Sequence, residues 1–224
     1  FTFILSTMIL MKFYSDVMGI SVGLVGIMMM LARVVDAFTD IAMGQIVDRS
    51  ESRPSGKFKP WILRMCVPVS VSSLLIYSNW ISDAPMGFKV FWMFFTYLMW
   101  GSVFYTTINI PYGSMASAIS SDPDDRAQLS NWRTIGASLA GTVIGVGLPL
   151  IVYVSDERGN KILSGNYVAL AALLCSVLSV ICYLLCYGLV TERVRIEKKT
   201  GSFDVRKLFM DIAHNKSLIG IILA

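Results

Sequence analysis

The sequence predicts an all-α integral membrane protein, on three observations. Of its 224 residues 55% are hydrophobic and only 15% charged, where soluble domains carry about a quarter charged. Mean hydropathy is +0.64. The apolar residues gather into runs of about 20, the length a helix needs to cross the hydrocarbon core. These runs are too long for strands and lack a period-2 alternation, so no strand is expected.

The expected spans are taken in order. Phe1–Phe13 opens inside an apolar segment, "FTFILSTMIL", and reads as a helix lacking its first turns, in a fragment of a longer chain. Val22–Ile46 is apolar except for Arg33, Asp36 and Asp40. Trp61–Ile81 follows the basic loop "DRSESRPSGKFK", and Phe91–Ala116 holds the polar stretch "YTTINIPYGSM". Asn131–Val154 carries Ala137, Gly141 and Gly145 four apart, a small-residue stripe that lets helix backbones approach closely. Tyr167–Val190 is the sixth span, and a seventh begins at Ser217. Three segments follow: a transmembrane bundle over 1–190, a middle loop over 191–216, and the start of the seventh helix over 217–224. Within the middle loop, Phe203–Asn215 alternates apolar and charged residues at helical spacing, as a surface amphipathic helix does.

The loops set orientation. Arg49, Arg53, Lys57 and Lys59 follow the second span, and six basic residues from Arg193 to Lys207 follow the sixth. The opposite loops are short and nearly balanced, so the positive-inside rule places the basic loops and the N-terminal side in the cytoplasm of a multi-pass cell-membrane protein. The loop "SSDPDDRAQ" is acidic, but acidic residues count little in that rule. A net charge of +4 spread over these loops gives no case for nucleic acid. Cys66, Cys175, Cys182 and Cys186 lie in apolar stretches and read as packed or lipid-facing thiols; His214 reads as a solvated surface residue. No hydrolytic or redox constellation is present, so an enzyme is not expected.

The chemistry concentrates in the second span. A carboxylate near the bilayer centre costs roughly 3 kcal/mol on insertion scales, so it is seldom decoration. Asp36 and Asp40 are four apart and share a helix face, with Arg33 a turn above. With the span ending near Ile46, Asp36 lies about 15 Å and Asp40 about 9 Å from the cytoplasmic edge. One guanidinium compensates one carboxylate, and the negative remainder suits a bound Na⁺ or a shared proton. In the fourth span Thr106, Asn109 and Pro111 interrupt the helix at comparable depth, Pro111 by removing a backbone hydrogen bond. Arg133, early in the fifth span, is a second deep cation whose fork suits hydroxyls or a carboxylate.

These blocks carry a resemblance. "DAFTD…GQIVDRSESRPSGKFKPWIL" and "NIPYGSMASAI…DRAQLSNWRTIGASLAG" resemble the glycoside–pentoside–hexuronide:cation symporters, the family of the melibiose permease. The resemblance implies the major facilitator fold, with this chain as the N-terminal six-helix bundle. It implies a sugar or glycoside substrate and no cofactor beyond a coupling Na⁺ or H⁺. The remaining partners are the bilayer and a C-terminal six-helix bundle of the same polypeptide. Asp36, Asp40 and Thr106 match the family's cation-binding positions, and Arg133, Asn109 and Gly113 its substrate-binding ones. Asn109 and Gly113 stand where the melibiose permease has an aspartate and a tryptophan; the uncharged amide favours a glucuronide or pentoside. Gly44, Asp48 and Arg49 match the superfamily's cytoplasmic latch. Two other readings fit the composition: a lysolipid carrier of the same branch, and a non-transporting sensor or assembly subunit.

Overall fold

The computed structural model describes residues 1–155 and 159–194. Its first helix, α1 (Thr2–Lys12), runs on through a π-helical turn, Phe13–Val17. A turn with Gly19 at φ +71°, a conformation that favours glycine, leads into α2 (Val22–Arg49). Ser21 caps α2, its hydroxyl accepting from the Leu24 N–H at 3.4 Å. Next come α3 (Lys59–Ile76) and a 3₁₀ turn, Asn79–Ile81. The fourth rod has three parts: α4 (Met86–Leu98), a π-helical stretch (Met99–Tyr105) and α5 (Thr106–Ile119). The residues at both joints keep right-handed helical dihedrals, so the rod is unbroken. α6 (Pro123–Val152), strands β1 (Tyr153–Ser155) and β2 (Lys161–Leu163), and α7 (Gly165–Leu189) complete the described chain.

The expected all-α membrane class holds, with three corrections. First, β1 and β2 form an antiparallel hairpin, pairing Tyr153 with Leu163 through Ser155 with Lys161. Strands of three residues are too short to leave an alternation in the sequence. Second, α6 begins at Pro123, not Asn131. The acidic residues of its loop are helix-start chemistry: the Asp122 side chain accepts from the Asp124 N–H at 2.9 Å, Pro123 opens the first turn, and Asp124 and Asp125 face the positive end of the dipole. Third, the fourth rod is irregular at Met99–Tyr105, ahead of Pro111, and α5 continues through the proline. The amphipathic segment 203–215, His214 and the span from Ser217 lie outside the described residues.

Among the described residues, four helical segments are long and apolar enough to cross a membrane by themselves: Val22–Arg49, Lys59–Ile81, Pro123–Val152 and Gly165–Leu189. Two more rods, α1 with its π turn and α4–π–α5, complete the bundle. α3 lies at the centre, packed on α5 and α7. α3 and α7 both bury small residues, among them Ser70 and Ser73 from α3 and Ala172, Ser176 and Ser179 from α7. The Ser176 hydroxyl donates to the Ser70 carbonyl at 3.1 Å, a polar tie of the kind that holds helices where lipid supplies no hydrophobic drive. The small stripe of α6 meets α1, since a Cβ on Gly145 would come within 3.3 Å of the Met8 methyl.

At the end of the bundle that holds the basic loop, the chain after α7 folds back. The Glu192 carboxylate accepts from the backbone N–H groups of Lys57, Phe58 and Lys59 at 2.7, 2.9 and 2.8 Å. These are orphan donors at the start of α3, and the carboxylate also complements the helix dipole. The Arg193 and Val194 N–H groups both reach the Ala118 carbonyl near the end of α5.

Candidate functional site

α2 and the fourth rod lie side by side and bring four polar side chains into register. The Ser102 hydroxyl donates to Asp36 Oδ1 at 2.5 Å, and the Thr106 hydroxyl donates to Asp40 Oδ1 at 2.9 Å. Both pairs are separated by 66 residues, so a four-residue step along α2 is matched by a four-residue step along its neighbour. Ser102 sits within the π-helical stretch, and Thr106 caps its end while approaching the Gly101 carbonyl at 3.3 Å. π-bulges recur at functional sites, where they re-aim side chains that a regular helix would leave elsewhere.

Arg33 completes the group. Its guanidinium stands 3.5 Å from Asp36 Oδ2, with the Arg33 side chain 64% exposed against 22% for Asp36. Asp36 is thus flanked by a cation and a hydroxyl, whereas Asp40 has the Thr106 hydroxyl. Two carboxylates against one guanidinium leave a formal charge of −1.

Arg33, Asp36, Asp40 and Thr106 line a cavity of about 550 Å³, within the size range of small-ligand sites, whereas the buried Ser102 does not. Asn109 opens onto the same cavity, as do Phe3, Tyr97, Trp100 and Tyr105. Phe3 stacks on Tyr105 at 5.4 Å between ring centroids, and Trp100 lies against Tyr105 at 5.6 Å. The Trp100 indole N–H is buried without a hydrogen-bond partner.

Of the residues singled out from the sequence, Asp36, Asp40, Thr106 and Asn109 therefore come together. Arg133 and Gly113 do not line that cavity. They share a second cleft of about 190 Å³ among α5, α6 and α7, with Cys186 and Val190. There the exposed Arg133 guanidinium lies 6.0 Å from the centre of the Tyr112 ring. A Cβ on Gly113 would sit 3.8 Å from Arg133 Nη1. Gly44, Asp48 and Arg49 lie in the last turns of α2, where the Lys57 ammonium donates to the Asp48 carbonyl at 3.0 Å.

Ser102 is the residue that inspection of the sequence missed. A serine in an apolar span ordinarily bonds its own backbone, and many here do so, Ser72 to Val69 among them. Its one visible signal was spacing: Ser102 precedes Thr106 by the same four residues that separate Asp36 from Asp40.

Comparison with known proteins agrees with this architecture. The chain is 32% identical over 208 residues to the inner membrane symporter YicJ of Escherichia coli (strain K12), covering 92% of this chain and 43% of that one. It is 30% identical over 215 residues to the isoprimeverose transporter of Lactiplantibacillus pentosus, covering 96% and 43%. A glucuronide carrier protein homolog of Escherichia coli (strain K12) is 39% identical over 140 residues, covering 62% and 30%. The chain thus spans less than half the length of these curated relatives. Residues 1–224 match the family described as MFS/sugar transport protein, and the chain belongs to that family of membrane transporters, which are not enzymes.

Proposed function

We propose that this chain is the cation-binding bundle of a secondary transporter that couples entry of Na⁺ or H⁺ to uptake of a sugar or glycoside. It would reside in the cell membrane with its basic loops in the cytoplasm. The observation that carries this reading is the pair of carboxylates, each held by a hydroxyl, beside a cavity with a net formal charge of −1. Closing such a cavity against water is costly while a charge remains uncompensated. A bound cation removes that cost, so cation occupancy favours closure of the site.

The same cavity suits a carbohydrate. Aromatic faces from Phe3, Tyr97, Trp100 and Tyr105 supply apolar walls, and Asn109 offers an amide that both donates and accepts. A carboxylate at position 109 would repel a uronic acid at short range in a low-dielectric cavity; the amide does not. Glucuronides and pentosides are therefore favoured over α-galactosides. Two similar proteins, named as an isoprimeverose transporter and a glucuronide carrier homolog, agree with that preference. Arg133, in its separate cleft, acts at this site only if the bundle rearranges as the transporter cycles.

The test is uptake by the full-length protein of labelled xylosides, glucuronides and α-galactosides, with and without Na⁺ and across pH. Cation-dependent uptake of the first two classes is expected. Uptake confined to α-galactosides, or indifferent to both cations, contradicts the reading.

A further inference from the structure

We infer that the indole N–H of Trp100 donates a hydrogen bond to a hydroxyl oxygen of the transported sugar; the inference rests on the sugar-transport reading above. Trp100 is 2% exposed, and its Nε1 atom is buried with no hydrogen-bond partner. The same residue forms part of the wall of the 550 Å³ cavity, as Asn109 does. A buried tryptophan ordinarily finds an acceptor for its N–H. Trp92, on the same rod, shows the usual solution, donating to the Leu75 carbonyl at 3.1 Å. An orphan donor is costlier still within an apolar span, where lipid offers no acceptor.

Among the described residues three other buried side-chain atoms lack a partner, the hydroxyls of Ser70, Ser73 and Tyr77, and none of them lines this cavity. A hydroxyl can turn its proton toward a new acceptor, whereas an indole N–H is fixed in its ring. The Trp100 ring is itself held, with Tyr97 at 5.8 Å and Tyr105 at 5.6 Å between centroids. Tyr105 is stacked in turn on Phe3.

The donor selects its ligand. An indole N–H donates only, so Trp100 can neither accept a hydrogen bond nor hold a cation. It needs an oxygen acceptor brought by whatever fills the cavity, and a sugar hydroxyl is one. The N–H is covered in this state, so the contact forms as the wall adjusts its rotamers around the sugar, a common change on binding. The empty state then carries the cost of the orphan donor and the loaded state does not. Trp100 and Asn109 stand nine residues apart, about two and a half helical turns, so they meet different parts of the substrate.

The test is direct binding to the purified full-length protein. The probes are methyl β-xyloside or methyl β-glucuronide, whichever wild type binds, and the monodeoxy derivatives of that sugar. Trp100→Phe keeps an aromatic wall without a donor. Replacing Trp100 by benzothienylalanine keeps the shape of the indole and removes only the N–H. Either change should weaken binding of the parent sugar about tenfold, the loss of one hydrogen bond. One monodeoxy sugar should bind wild type about tenfold more weakly than the parent, yet bind each variant as the parent does, because a site that bonds a hydroxyl discriminates against the analogue lacking it. Equal losses for the parent and every derivative would make Trp100 a packing residue. That result, or unchanged affinity in both variants, overturns the inference and leaves the symport reading standing. A wild type that binds neither sugar contradicts the transport reading and the inference with it.

Discussion

Asp36 and Asp40 differ in their company, and that difference sets what each substitution does. Asp36 has Arg33 and Ser102; Asp40 has Thr106. Replacing Asp36 leaves Arg33 uncompensated, whereas replacing Asp40 removes the charge that no guanidinium offsets. Both Asp36→Cys and Asp40→Cys should abolish cation-driven accumulation while sugar exchange persists, and Asp36→Cys should be the less stable, as a thermal melt would show. Asn109 supports a separate expectation. Asn109→Asp adds a second negative charge to the sugar side of the cavity and should weaken glucuronide binding far more than xyloside binding, measured by direct binding. An equal effect on both classes would detach Asn109 from charge selection.

At the scale of the elements, the fold-back after α7 is the most exacting contact. Glu192 holds three backbone N–H groups at the start of α3, and Gly56 sits directly against it at φ +111°. A Cβ on Gly56 would collide with the Glu192 carboxylate. Gly56→Ala is thus opposed by both backbone and neighbour. Glu192→Ala leaves three donors without their acceptor, at about 1–3 kcal/mol in this half-buried setting. Both variants should lower the melting temperature and raise proteolysis of the loop between α2 and α3. Unchanged melting and protection would show that the clamp contributes nothing.

The helices themselves were legible in the sequence because their length and hydropathy are imposed by the bilayer. The acidic pair was legible because a carboxylate in an apolar run has no cheap explanation. The π-helical stretch was not, since its sequence, "MWGSVFY", is as apolar as a regular helix. With it went Ser102. The hairpin and the early start of α6 were not legible for a different reason: both are decided by a few capping and pairing contacts, in the polar loop before Asn131 and across the end of the fifth expected span.

For the whole molecule, α2 and α6 are the least buried of the long apolar helices among the described residues. α6 buries only Ile144, Leu148 and Val152, and α2 only Val25, Met28, Ala32, Met43 and Val47 among the described residues. Arg33 and the two acids lie on one of these two sparsely packed rods. In the reading proposed here, a second bundle of the same polypeptide covers α2, and the cation is released when the bundles part. The small-residue contact between α6 and α1 should hold through that motion. Gly145→Leu, which would drive a side chain into Met8, should impair uptake of every substrate alike. An effect on one sugar class only would tie the contact to selectivity.

The central claim is that the charge left over by Asp36, Asp40 and Arg33 couples cation entry to sugar uptake. It is tested most directly in sealed vesicles carrying the full-length protein, wild type or Asp40→Cys, given labelled xyloside or glucuronide and an inward cation gradient. The account predicts that wild type concentrates the sugar only while the gradient lasts. It predicts that Asp40→Cys exchanges internal for external sugar but never concentrates it. Accumulation by Asp40→Cys equal to wild type would contradict the account.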